Sequence, residues 1–182
     1  MKNKIFLHIC CAPCSIEVID SLISEDFEIF GYFYNPNIHP FDEYEKRRES
    51  VENHLKKLKI EYKIADYDMF EYFNKISGEF VGAGRCNLCY DLRLGKSAIE
   101  AKSLGFEKYS STLLWNPHKD FNSIAETGRK NGEKYGVEFY FPKLTHDYWK
   151  YKAKAKEEEL YIQKYCGCVF SSWENKQRSA NS

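Results

Sequence analysis

No stretch of this 182-residue chain stays apolar for the roughly 18 residues that a membrane span needs. Its start, Met1-Lys2-Asn3-Lys4, leads straight into one short apolar segment rather than a leader's longer one. Neither a signal peptide nor a membrane span is read from it, so a cytoplasmic protein with no membrane partner is expected. An excess of either charge is missing too: Lys plus Arg and Asp plus Glu number 27 each. Net charge therefore announces no polyanionic partner, although a local patch still can. Glycine-rich phosphate loops are absent. There is no Walker P-loop and no GxGxxG, and the turn after the first strand lacks the SGGxDS-type loop of ATP pyrophosphatases. ATP chemistry is not expected. No internal repeat or low-complexity linker divides the chain.

What remains is globular. Hydrophobic residues make up 43% and charged residues 30%, which suits a folded chain rather than a disordered one. Its 182 residues are enough for a sizeable core. Aromatics reach 16%, with 14 Tyr and 13 Phe, and serve either a dense core or base stacking.

Sulfur is the distinctive content. All seven cysteines fall in three clusters: Cys10-Cys11-Ala12-Pro13-Cys14, Cys86-Asn87-Leu88-Cys89 and Cys166-Gly167-Cys168. Without a secretory signal, metal binding or catalysis is a better use for them than a disulfide scaffold. The first cluster sits in a strand-to-helix turn, where backbone N–H groups and the helix dipole stabilise anionic sulfur. CxxC lets two thiolates grip one centre. The first two clusters supply five sulfurs, enough for a four-iron cluster with one to spare or for a cluster beside a separate metal ion. Zinc is the competitor, but four-cysteine zinc sites pair two CxxC knuckles, and the first segment is not one. The CxC is either a redox pair that relays electrons or a completion of the metal site.

Lys4–Ile9, Glu28–Tyr34, Glu61–Ala65, Lys108–Thr112 and Val137–Phe141 read as strands. Helical spacing follows each: from Pro13 to about residue 24, Phe41–Lys59, a turn or two over Met69–Ile76, Tyr90–Leu104, Asn122–Tyr135, and a helix within His146–Tyr165. Residues 78–84 read as a loop leading into the CxxC. Such alternation predicts an α/β fold, an open, mostly parallel sheet with helices on both faces. Residues 1–173 are read as one domain and 174–182 as a frayed polar tail.

Sheets of this kind bind ligands beyond the carboxyl ends of their strands. Cys10–Cys14, Asn35–Asn37, Asp66–Asp68 and Ser110–Thr112 all follow strands and are expected to face one crevice. There Cys10, Cys11, Cys86 and Cys89 are the expected metal ligands, with Cys14 in reserve beside them. Asp66 and Asp68 suit a hard metal or proton donation, while Asp68 can equally N-cap the helix at Met69. His118 is placed for a substrate role, and His8, inside a strand, for a buried hydrogen bond. The run from Tyr148 to Lys156 interleaves aromatic and basic residues, and reads either as phosphate contact with base stacking or as a solvated helix face.

Six segments in this order resemble the QueH-type epoxyqueuosine reductases: HICCAPCS, FYNPNI, DYD, RCNLCYDLRL, STLLWNPHK and YCGCVFS. The resemblance runs through nearly the whole chain. It implies a fold related to the adenine nucleotide alpha-hydrolases. The activity implied is reduction of the epoxide of epoxyqueuosine to the alkene of queuosine, the last step in making this nucleoside in tRNA anticodon loops. It also implies a [4Fe–4S] cluster, an adjacent mononuclear iron, an external electron donor and no cobalamin. Asp68 then becomes the expected acid. Asn35 and Asn37 become contacts to a flipped base. Arg85, Arg93 and the Lys150–Lys156 run become contacts to the RNA backbone. A tRNA sulfur transferase, a zinc-dependent RNA-binding module and a dithiol oxidoreductase are the competing readings.

Overall fold

The strand-and-helix alternation is realised throughout the computed structural model, which describes residues 3–117 and 119–180. The elements are β1 (Asn3–His8), α1 (Ala12–Ser24), β2 (Phe27–Phe33), α2 (Phe41–Lys57), β3 (Glu61–Ile64), α3 (Met69–Lys75) and α4 (Gly82–Ser103). They continue with β4 (Lys108–Ser111), a 3-10 turn (Thr112–Trp115), α5 (Phe121–Tyr135), β5 (Glu138–Phe139), α6 (Tyr148–Glu157) and α7 (Val169–Ala180). All four strand pairings are parallel, in the order β3-β2-β1-β4-β5. Helix α1 packs with α2 and α6, and α4 packs with α3 and α5. Two helical layers therefore sandwich the sheet, as expected.

Burial on both faces explains the composition of β1. Ile5, Phe6, Leu7 and His8 are fully buried, so the strand reads as a continuous apolar run rather than an alternating one. Phe6 packs against Tyr32 and Phe30 at ring separations of 5.0 and 5.7 Å, which puts these aromatics in the core. No helix among the described residues is long and apolar enough to cross a membrane.

The chain leaves β1 toward β2 on one side and returns to β4 on the other. The strand order thus reverses beside β1, and a crevice opens beyond its carboxyl end and that of β4. His8 lies in register with Tyr32 of β2 and Ser111 of β4. Its Nε2 donates to the Tyr34 carbonyl (3.2 Å), so its Nδ1 accepts from the Ser111 hydroxyl (2.7 Å). Burial lowers its pKa to about 3, and the ring is a neutral peg between two strands.

Three elements differ from expectation. Strand β5 keeps two residues, Glu138 and Phe139, which pair with Lys108 and Tyr109 at the sheet edge. Helix α4 begins at Gly82 rather than Tyr90: Gly82 (φ +66°) turns the chain, and the CxxC lies inside the helix rather than ahead of it. Residues 174–180 are not a frayed tail but the end of α7, held because Glu174 pairs bidentately with the buried Arg85 at 2.8 and 3.1 Å. Residues 181–182 lie outside the described residues.

Candidate active site

The turn from β1 into α1 carries the first three thiols. Cys11 occupies the N-cap position in extended conformation and Pro13 fits the first helical turn, where a missing N–H costs nothing. The sulfurs of Cys10, Cys11 and Cys14 all lie within 4.8 Å of one another, and all three residues are buried. Neighbouring β4 completes this corner: the Cys10 amide donates to Thr112 Oγ1 (2.9 Å), and the Thr112 hydroxyl donates to Cys10 Sγ (3.2 Å). On the open side Gln163 Nε2 donates to Cys11 Sγ at 3.0 Å. Hydrogen bonds from Cys11 and Cys14 hold the Cys10 thiol well below its usual range. Burial pushes Cys11 up, and the anionic Cys10 pushes Cys14 up. The triad thus favours at least one thiolate even without a metal.

Cys86 and Cys89 stand three residues apart on α4 and so share one face of the helix. Burial raises both thiols, that of Cys89 to about 11. Cys86 lines the same cavity as the triad. Cys89 lies behind that wall in a small core with Cys168, Tyr72 and Ile76. Gly167, at φ +137°, separates the last two thiols, in a conformation that a side chain would strain. Cys166 points to the cavity and Cys168 points inward, where its sulfur accepts from the Ser171 amide (3.3 Å). Arg47 clamps this turn through the carbonyls of Cys166 and Tyr165, each at 3.0 Å.

The cavity between these walls has a volume of about 750 Å³. Seven of its lining residues are Lys or Arg and two are Asp or Glu, so a chain of zero net charge keeps a positive field here. Lys119 Nζ sits 2.9 Å from Cys166 Sγ. Desolvation pushes the Cys166 thiol up, but the Lys119 ammonium outweighs it and holds the thiol below its usual range. Six of the seven cysteines contribute to the cavity lining beside these cations, and five of them, all but Cys168, turn their sulfur toward it, a donor set that suits a thiolate-bound iron centre whose negative charge needs compensation.

Several expected residues lie elsewhere. Asp66 and Asp68 follow β3 at the sheet edge, are exposed, and do not line the cavity. Asp68 caps α3, its Oδ1 accepting from the Phe70 amide at 2.8 Å, which is the capping alternative. Asn35 and Asn37 are buried away from the cavity. Asn35 joins elements: its Nδ2 donates to the Ile9 carbonyl (2.9 Å), and its Oδ1 accepts from Arg93. Arg85 and Arg93 do line the cavity: Arg93 is buried beside Cys89 and Cys10, and Arg85 is held by Glu174 and the Phe80 carbonyl, so both guanidiniums also brace the site. His118 lies outside the described residues. Sequence reading passed over Lys119, although it ends the STLLWNPHK segment, and it missed Arg47 and Gln163, which nothing in their surroundings marks.

A sequence model of the epoxyqueuosine reductase QueH family matches residues 5–174. The chain is 39% identical to the epoxyqueuosine reductase QueH of Haemophilus influenzae, over 93% of this chain and 71% of that protein. It is 35% identical to those of Dehalococcoides mccartyi (96% of this chain, 95% of that one) and Thermotoga maritima (98% and 95%). The fold is similar to that of the U34-tRNA thiolase NcsA from Methanococcus maripaludis, solved with its [4Fe-4S] cluster, at TM-score 0.54 and 16% identity, covering 93% of this chain and 61% of that one. It is also similar to a predicted subunit of tRNA methyltransferase from Methanocaldococcus jannaschii, at TM-score 0.57 and 11% identity, covering 85% and 74%. With the three cysteine clusters meeting at one crevice and the match spanning residues 5–174, this chain belongs to the QueH family of epoxyqueuosine reductases.

Proposed function

We infer that this chain is a cytoplasmic epoxyqueuosine reductase acting on tRNA, and that the cavity walled by its cysteines is where the epoxide is reduced. The observation that carries the reading is the buried triad of Cys10, Cys11 and Cys14 at the end of β1, facing a cavity that Cys86 and Cys166 also line. We assign Cys10, Cys11, Cys86 and Cys89 as ligands of a [4Fe–4S] cluster and Cys14 as the spare sulfur for a neighbouring iron. When bound, these centres supply electrons singly and a Lewis acid for the epoxide oxygen.

Converting an epoxide to an alkene takes two electrons and two protons, and the oxygen leaves as water. An external donor must supply the electrons. Among the described residues, Lys119 is the proton-bearing side chain best set in the cavity. Burial opposes its charge, but the anionic Cys166 beside it outweighs that effect, so its ammonium persists to high pH. Gln163 and Thr112 orient the sulfurs of Cys11 and Cys10 through hydrogen bonds. The positive walls favour an anionic polynucleotide, and a base must leave its stack to reach sulfurs this deep.

Anaerobically purified protein tests this directly. A brown protein containing iron and acid-labile sulfide that converts epoxyqueuosine to queuosine in tRNA is expected. A colourless zinc protein without turnover would overturn the reading in favour of an RNA-binding module.

A further inference from the structure

Trp149 is the most exposed large apolar residue among those described, at 75%. It is not isolated. Its ring meets Tyr148 edge-on at 5.5 Å, and Tyr148 in turn stacks on Trp115 at 5.8 Å and 22°. Trp115 and Tyr148 line the cavity, so three aromatic rings step from its wall out to solvent. Lys152 Nζ sits over both outer rings, 5.5 Å from Tyr148 and 5.2 Å from Trp149.

This step is held in place from below. Glu17 of α1 is buried, and its Oε2 accepts from Trp115 Nε1 at 2.7 Å. Its Oε1 accepts from the Thr145 hydroxyl (2.6 Å) and the His146 amide (3.1 Å), just ahead of α6. Asp147 then caps α6 through the Lys150 amide (3.1 Å), and Lys154 pairs with Asp20 at 2.7 Å. One carboxylate therefore fixes both the inner ring and the start of the helix that carries the outer two. An exposed indole with a lysine over one face suits a sequence-tolerant nucleobase contact: a flat apolar ring for the base, with a cation close enough to reach the attached phosphate.

We propose that Trp149 is a stacking platform for a nucleotide flanking the modified one, with Lys152 against its phosphate, so that the anticodon loop is held open while the modified base enters the cavity. Trp149 would thus be a positioning residue that selects for polynucleotide over free nucleoside. The inference rests on the tRNA reading above.

The test uses the holoenzyme and an anticodon stem-loop RNA carrying epoxyqueuosine. Trp149→Ala should raise KM and Kd for the stem-loop roughly tenfold or more, the scale of one lost base stack. Its kcat and iron content should match the parent protein, and Trp149→Phe should restore most of the affinity. Turnover of the free nucleoside should not change. Stem-loops made abasic at one flanking position should lose the same affinity, and the two losses should not add. If the parent protein reduces the stem-loop but Trp149→Ala binds it equally well, the platform is wrong and the function stands. Additive losses at both flanks, or equal weakening toward the free nucleoside, would also overturn it. No turnover by the parent protein would instead sink the functional reading.

Discussion

Lys119 Nζ lies 2.9 Å from Cys166 Sγ at the cavity wall. Desolvation alone would raise this thiol, and the ammonium reverses the sign. Only the thiolate is nucleophilic. Alkylation of Cys166 should therefore reach half its maximal rate below the ordinary thiol value of about 8.5. In Lys119→Met the nearest cation goes while Arg93 and Arg47 remain, so the midpoint should move up. Iodoacetamide labelling followed by peptide mass spectrometry across pH reads this. An unmoved midpoint would show that Lys119 does not govern Cys166.

The ligand assignment predicts that Cys10→Ala, Cys11→Ala, Cys86→Ala and Cys89→Ala each lose bound iron together with turnover. Iron and sulfide counts beside the visible spectrum measure this. Full iron content and turnover in both Cys86→Ala and Cys89→Ala would end the assignment.

Asp68 is exposed and caps α3. Asp68→Asn keeps an acceptor for the Phe70 amide, and turnover should be unchanged. Asp68→Ala should lower stability by about 1 kcal/mol in denaturant unfolding, the usual worth of an N-cap. A hundredfold fall in turnover of a stably folded Asp68→Asn would restore the acid role that its place in DYD suggested.

Glu17 holds Trp115, Thr145 and His146 from a buried position. Glu17→Ala leaves those neutral donors without a partner, and should cost about 1–3 kcal/mol or more in chemical denaturation, the scale for leaving buried donors unsatisfied. A loss under about 1 kcal/mol, the worth of an ordinary hydrogen bond, would mean that water replaces the carboxylate.

The parallel sheet, its helices and the crevice were legible in the sequence. Each strand is a short apolar run followed by a polar turn, and burial on both faces leaves little other use for such a run. The cysteine clusters were legible because their spacing within each turn is local. What the tertiary structure decided was which strand-end residues meet. Asp66 and Asp68 follow a strand as Cys10 does, yet β3 lies at the sheet edge and β1 beside the reversal, and strand order is not written in any one strand. Asn35, Arg85 and Arg93 looked like ligand-binding groups because they are polar and near the motifs. Burial gave each of them a partner inside the protein: Ile9 and Arg93 for Asn35, and Glu174 for Arg85. Arg47, on a helix, lies 119 residues before the Cys166 carbonyl it holds, and Gln163, on the segment after α6, lies 152 residues after the Cys11 sulfur it contacts, so only the folded packing brings them there.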